Sequence, residues 1–157
     1  MTDLIWIGDR FAERRILVLG ESWYGDYADN TDTGYIRLYL AGKLADRMYT
    51  RMANACGLSR DDFWHGIAFT NFAQRVGEKR EDRPTLAMYE AAKPRLSRLL
   101  AELQPRGVWI LGKEQGEHSA PLVAAAGIPL VVSRHPTSYG VPNAELGADW
   151  SNLLERS

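Results

Sequence analysis

Cysteine is nearly missing from this sequence: Cys56 is the only one in 157 residues. One thiol excludes an intramolecular disulfide and a cysteine-ligated iron–sulfur cluster assembled within the chain, and leaves a buried apolar role as its default. Long hydrophobic runs are also missing. No apolar stretch approaches membrane-spanning length, and the N-terminus lacks a basic region followed by an apolar run and a cleavage site. The expectation is a cytoplasmic protein with no membrane partner. Histidine is scarce, and His65, His118 and His135 lie far apart without paired acidic or cysteine spacing, so no structural metal site is expected. An excess of one charge is lacking as well, since 19 basic residues face 20 acidic ones. That balance excludes the wholesale basic character of an architectural DNA-binding protein and confines any nucleic-acid contact to a local face. The glycine-containing turn after Leu19 has neither the Gly-Lys-Ser/Thr ending of a phosphate loop nor the three-glycine dinucleotide pattern.

With 45% apolar and 25% charged side chains, the chain has the size and mix of one globular domain spanning 1–157. No repeat, low-complexity tract or linker divides it, and a monomer is expected. Four β-rich runs stand out: Arg15 to Leu19, Ile67 to Thr70, Val108 to Leu111 and Ile128 to Val132. Each is nearly continuous in apolar residues, as suits parallel strands covered on both faces. Between them lie helical patterns. From Ile36 to Ala55 the apolar set Ile36, Leu40, Leu44 and Met48 runs beside a cationic stripe of Lys43, Arg47 and Arg51, which reads as either an exposed helix face or a phosphate contact. Pro84 can open the next helix, Pro94 should kink or divide it, and Leu96, Leu99, Leu100 and Leu103 face the core. A short helix follows over Ala120 to Ala126, and Leu146, Trp150, Leu153 and Leu154 stripe the last one. Alternating strands and helices predict an α/β fold, a three-layer α/β/α sandwich around a central four-stranded parallel sheet.

Ligands of such sheets bind beyond the carboxyl ends of the strands. Three unusual segments fall there: Gly20-Glu21-Ser22-Trp23-Tyr24-Gly25-Asp26, Asn71-Phe72-Ala73-Gln74-Arg75 and Arg134-His135-Pro136-Thr137-Ser138-Tyr139. Here the sequence resembles the uracil-DNA glycosylase superfamily, from about Ile16 to Tyr139. The first segment looks like that family's water-activating loop, written Gly-Gln-Asp-Pro-Tyr-His in some members and Gly-Glu-Ala-Pro-Gly in members with an iron–sulfur cluster. Phe69-Thr70-Asn71 is similar to the strand end whose asparagine reads uracil, Trp109-Ile110-Leu111-Gly112-Lys113 looks like the third strand, and His135-Pro136-Thr137-Ser138 resembles the final His-Pro-Ser motif. The chain departs from the family at Ser22, where some members place the water-orienting aspartate, and in lacking the cluster cysteines.

The resemblance implies a DNA glycosylase of base excision repair that flips uracil, or a related damaged pyrimidine, and hydrolyses its bond to deoxyribose without a cofactor, metal or iron–sulfur cluster. Such a reaction passes through an oxocarbenium-like sugar, a departing anionic base and an incoming water. His135 can donate to uracil O2, or merely cap its loop. Asn71 can pair with O4 and N3–H and reject cytosine, or simply turn the chain after a strand. Tyr24 aligns with the aromatic that excludes the thymine methyl, and Tyr35 loosely with the one that stacks on the flipped base; either fits an ordinary core role. For water, Glu21 is the first candidate, Asp26 the second, and Ser22 a positioning group, with capping or solvation open for each acid. Tyr139 and Ser138 lie where relatives enter or meet the duplex, and Arg134, Arg75, Lys79 and Arg80 can meet phosphates or remain solvated. A silent base- or nucleic-acid-binding module and an enzyme of free nucleosides or a modified base are the alternatives.

Overall fold

The computed structural model describes residues 5–24, 32–77 and 82–157, with residue 24 and residues 75–77 described in their backbone alone. Three apolar runs form the heart of the sheet as β2 (Ile16–Gly20), β4 (Ile67–Asn71) and β6 (Gly107–Leu111), and every residue of the three is buried. Burial on both faces is why these runs do not alternate. A fourth strand, β7 (Leu130–Ser133), pairs with β6, and β1 (Trp6–Ile7) pairs with β4.

The sheet order is β1-β4-β2-β6-β7. Four strands run parallel, as their sequences imply, but β1 is antiparallel to β4. The protein is thus α/β with a five-stranded mixed sheet, and the expectation of four parallel strands alone is corrected. Two apolar residues are too short a run to register as a strand; tertiary pairing makes β1, with Gly8 N–H also donating to Ile67 C=O at 2.9 Å. A separate parallel pair, β3 (Trp23–Tyr24) with β5 (Arg75–Gly77), joins the loops that follow β2 and β4.

Side chains alternate across the strands into two cores. Ile16, Val18, Phe69 and Trp109 pack with α2 (Asp32–Leu40), α3 (Arg47–Ala55), α4 (Arg60–His65) and α7 (Asn143–Arg156). Leu17, Leu19, Ala68 and Ile110 pack with α5 (Leu86–Leu103) and α6 (Lys113–Ala125). A one-turn α1 (Phe11–Arg14) precedes β2, and Arg15 caps it in the left-handed region rather than opening the strand.

Several helix expectations change. The pattern over Ile36 to Ala55 is two helices, because Gly42 takes φ +73 after α2 and Asp46 starts α3 by accepting from Tyr49 N–H at 2.9 Å. The four-residue apolar spacing runs across the break without revealing it. Pro94 lies inside a continuous α5, and the helix expected from Ala120 begins at Lys113 and carries Pro121 within it. Leu154 is 38% exposed, so the buried stripe of α7 is Leu146, Trp150 and Leu153. Among the described residues, no helix is long and apolar enough to cross a membrane.

Candidate functional site

Strands β2 and β4 end side by side, Gly20 opposite Asn71. Beyond them, and beyond the end of β7, opens a cavity of about 1000 Å³. Its wall takes Glu21 and Ser22 from the first strand-end loop, Asn71 from the second, and Arg134, His135 and Ser138 from the third, with Tyr35 from α2. Residues far apart in sequence thus share one concavity because parallel strands end at the same rim.

Asn71 is 6% exposed. Its carboxamide lies against the end of β2, where a Cβ on Gly20 would come within 2.3 Å of Oδ1 and 2.9 Å of Phe69 Cζ. Glycine at position 20 makes the room for that side chain. The carboxamide nitrogen donates to Asp32 Oδ1 at 2.8 Å, and the Asn71 backbone N–H donates to Asp32 Oδ2 at 3.2 Å. Thr70 Oγ1 also donates to Oδ2, at 2.6 Å. From the opposite face of the sheet Arg95 donates to Thr70 Oγ1 at 2.8 Å and to the Asn71 carbonyl at 3.2 Å. Burial raises the pKa of Asp32, against the pull of its three donors and of Arg95. Burial likewise lowers that of Arg95.

His135 belongs to a loop with its own internal order. Thr137 N–H donates to Nδ1 at 3.2 Å, and Thr137 Oγ1 lies 2.7 Å from the same nitrogen. A backbone N–H can only donate, so Nδ1 is an acceptor and the neutral ring carries its proton on Nε2. The loop is clamped by Arg51, which donates to the carbonyls of Pro136 and Val141 and to Asn143 Oδ1 at 2.7 Å. Arg51 therefore has a structural task that neither an exposed-stripe nor a phosphate-contact reading of α3 contains.

Glu21 is nearly enclosed, its side chain 12% exposed. Burial raises its carboxyl pKa; Arg83, with Nη2 3.6 Å from Oε1, pulls it down, and Glu114 pushes it up again. Arg83 also bridges to Glu114 at 2.7 Å. The Glu21 carboxylate and the His135 imidazole both lie beside Gly112. A Cβ there would lie 3.3 Å from Glu21 Oε2 and 3.7 Å from His135 Cδ2, and φ at Gly112 is +116. The backbone angle demands glycine, while a Cβ there would press only lightly on the Glu21 carboxylate.

Tyr35 is fixed by its hydroxyl, which donates to Asp46 Oδ2 at 2.6 Å, and its ring meets Tyr49 edge-on at 5.4 Å. Tyr49 and Phe69 extend this aromatic wall of the cavity. Ser22 lines the cavity beside Glu21. Ser138 N–H donates to the His135 carbonyl at 2.8 Å, and Tyr139 beyond it is fully exposed. Arg134 is held by Glu145 at 2.7 Å, so its charge is already compensated and a phosphate there must compete with a carboxylate. Asp26, Lys79 and Arg80 lie outside the described residues, as do the side chains of Tyr24 and Arg75, whose strands pair through Trp23 with Arg75 and Tyr24 with Gly77.

Sequence reasoning missed Asp32, Arg51 and Arg83. Arg51 read only as part of a cationic stripe and Asp32 and Arg83 drew no reading at all, because no local pattern announces partners up to 92 positions away. Gly112 was visible only as part of the third-strand resemblance.

No family model and no curated protein matches the chain. Among solved structures, the C-terminal domain of a hydrogenase from Pyrococcus furiosus is similar at 14% identity and a TM-score of 0.34, over 75% of this chain and 89% of that one. A likeness that weak carries no argument about fold or function, which leaves the geometry of the cavity to speak for itself.

Proposed function

We propose that this protein is a monofunctional DNA glycosylase that takes a flipped uracil, or a closely related damaged pyrimidine, and hydrolyses its bond to deoxyribose without metal or organic cofactor. The observation that carries this reading is that Glu21, Asn71 and His135 line one cavity. Asn71 retains its carbonyl oxygen and one amide hydrogen for a base edge after its bond to Asp32. His135, with Nδ1 accepting, offers an Nε2–H to an oxygen that gains negative charge as the base departs. Glu21 orients water and favours the sugar cation when ionised. Tyr35 supplies a ring for stacking, and the exposed Tyr139 is suited to fill the space left in the duplex.

A silent base-binding module is the second reading. It is favoured by Ser22 at the position of the water-orienting aspartate and by the burial that raises the pKa of Glu21 toward a neutral carboxyl. Uracil-containing single- and double-stranded oligonucleotides, treated with alkali to cut abasic sites, separate the two. Cleavage by the wild type that is lost in Asn71→Ala and His135→Ala supports a glycosylase. Binding of uracil-containing DNA without base release supports the module, and release from free nucleosides alone would move the substrate class away from DNA.

A further inference from the structure

We infer that Asp32 is a positioning residue that decides which end of the Asn71 carboxamide faces the cavity, and so whether the cavity reads a uracil-type or a cytosine-type edge. The inference rests on the reading of the cavity as a base pocket. Its ground is the direction of the hydrogen bonds that described residues make to one buried carboxylate, 2% exposed at the first residue of α2. The backbone N–H of Asn71 can only donate to Oδ2. Arg95 has donors alone, so its 2.8 Å bond fills Thr70 Oγ1 as acceptor and turns the threonine proton toward Asp32 Oδ2. Oδ2 is thus an acceptor, and with Asp32 ionised so is Oδ1, which then takes the NH2 end of Asn71 at 2.8 Å. Turning the carboxamide over would set its carbonyl oxygen against the carboxylate.

The consequence reaches the base edge. Uracil offers N3–H as donor and O4 as acceptor, while cytosine offers N3 as acceptor and its amino group as donor. An Asn71 with fixed ends matches one pattern and opposes the other; a reversed Asn71 does the opposite. Asp32→Asn keeps the shape but can place an NH2 where the Asn71 nitrogen now donates, which drives the carboxamide to turn.

The test compares base release from oligonucleotides carrying one uracil or one cytosine. In Asp32→Asn the uracil-to-cytosine ratio of kcat/KM is expected to fall about a hundredfold or more from the wild-type value. Thr70→Val leaves both Asp32–Asn71 bonds in place and should hold the ratio within about threefold of wild type. An unchanged ratio in Asp32→Asn, or an equal fall in both variants, overturns the assignment. A second measurement needs no activity and no variant: exchange of the Asn71 side-chain amide protons by NMR. These should exchange at least about tenfold more slowly than those of Asn152, which is exposed. Equal rates overturn the inference even if Asp32→Asn does not fold. Slow Asn71 exchange in a wild type that releases no base would instead leave the Asp32 lock standing and sink the glycosylase reading.

Discussion

Glu21 carries its charge in a wall of the cavity that burial makes unfavourable for an anion. Its pKa in the folded protein is raised above the ordinary carboxyl value, so between those two values the folded state holds more proton than the unfolded chain. Stability linked to this group is full at acid pH and is lost as pH rises through the raised pKa. Glu21→Gln is therefore expected to melt at a higher temperature than wild type near pH 7, and the advantage should shrink as pH is lowered toward 4. The same variant should lose about a hundredfold or more in base release, since a carboxamide cannot favour a sugar cation. Thermal melts across that pH range and a single-turnover assay check both halves. Gly20 acts through space alone. A methyl at position 20 would meet Asn71 Oδ1 at 2.3 Å, so Gly20→Ala should displace the carboxamide, cost about 1–3 kcal/mol by overpacking, and reduce uracil release more than it reduces the melting temperature. Full activity in a stable Gly20→Ala protein would show that Asn71 has no part in recognition.

At the scale of elements, the sheet brings the loops together and a few long-range donors hold them. The His135 loop depends on Arg51 of α3, whose guanidinium serves two carbonyls and one side chain. A hydrogen bond from a charged group contributes about 1.5–3 kcal/mol, and two of these three are partly buried while the one to Asn143 is exposed. Arg51→Ala is expected to lower base release about tenfold or more with a measurable loss of stability, while Arg51→Lys, with one compact ammonium in place of a fork, restores only part of it. Wild-type rates in Arg51→Ala would mean that the loop holds its shape unaided. The central strands were readable because runs buried on both faces are nearly continuous in apolar residues, interrupted only at their ends, as at Thr70 and Asn71. The two helices within 36–55 were not, because the apolar repeat of Ile36, Leu40, Leu44 and Met48 continues through the turn and only the backbone at Gly42 and the cap at Asp46 mark the break. Two-residue β1 was illegible for another reason: pairing with β4, and not propensity, makes it a strand. In the site, Glu21, Asn71 and His135 were visible as residues following strands. Asp32 and Arg83 were not, since their meaning comes from atoms brought near by folding.

The whole molecule has almost no net charge, and Arg134 is already paired with Glu145. Binding to DNA should then rest on few phosphates and on the cavity. For about two neutralised phosphates the affinity for a uracil-containing duplex falls only about tenfold between 50 and 200 mM salt. Fluorescence anisotropy across that range checks it, and a loss of about a thousandfold or more would reveal a much broader cationic footprint.

The chain of bonds from Arg95 through Thr70 to Asp32 joins α5 on one face of the sheet to α2 on the other, passing the end of β4 on its way. It works like a rivet through a plank. With both helical layers pinned at the same spot, one cannot slide over the other without breaking polar links at a buried carboxylate.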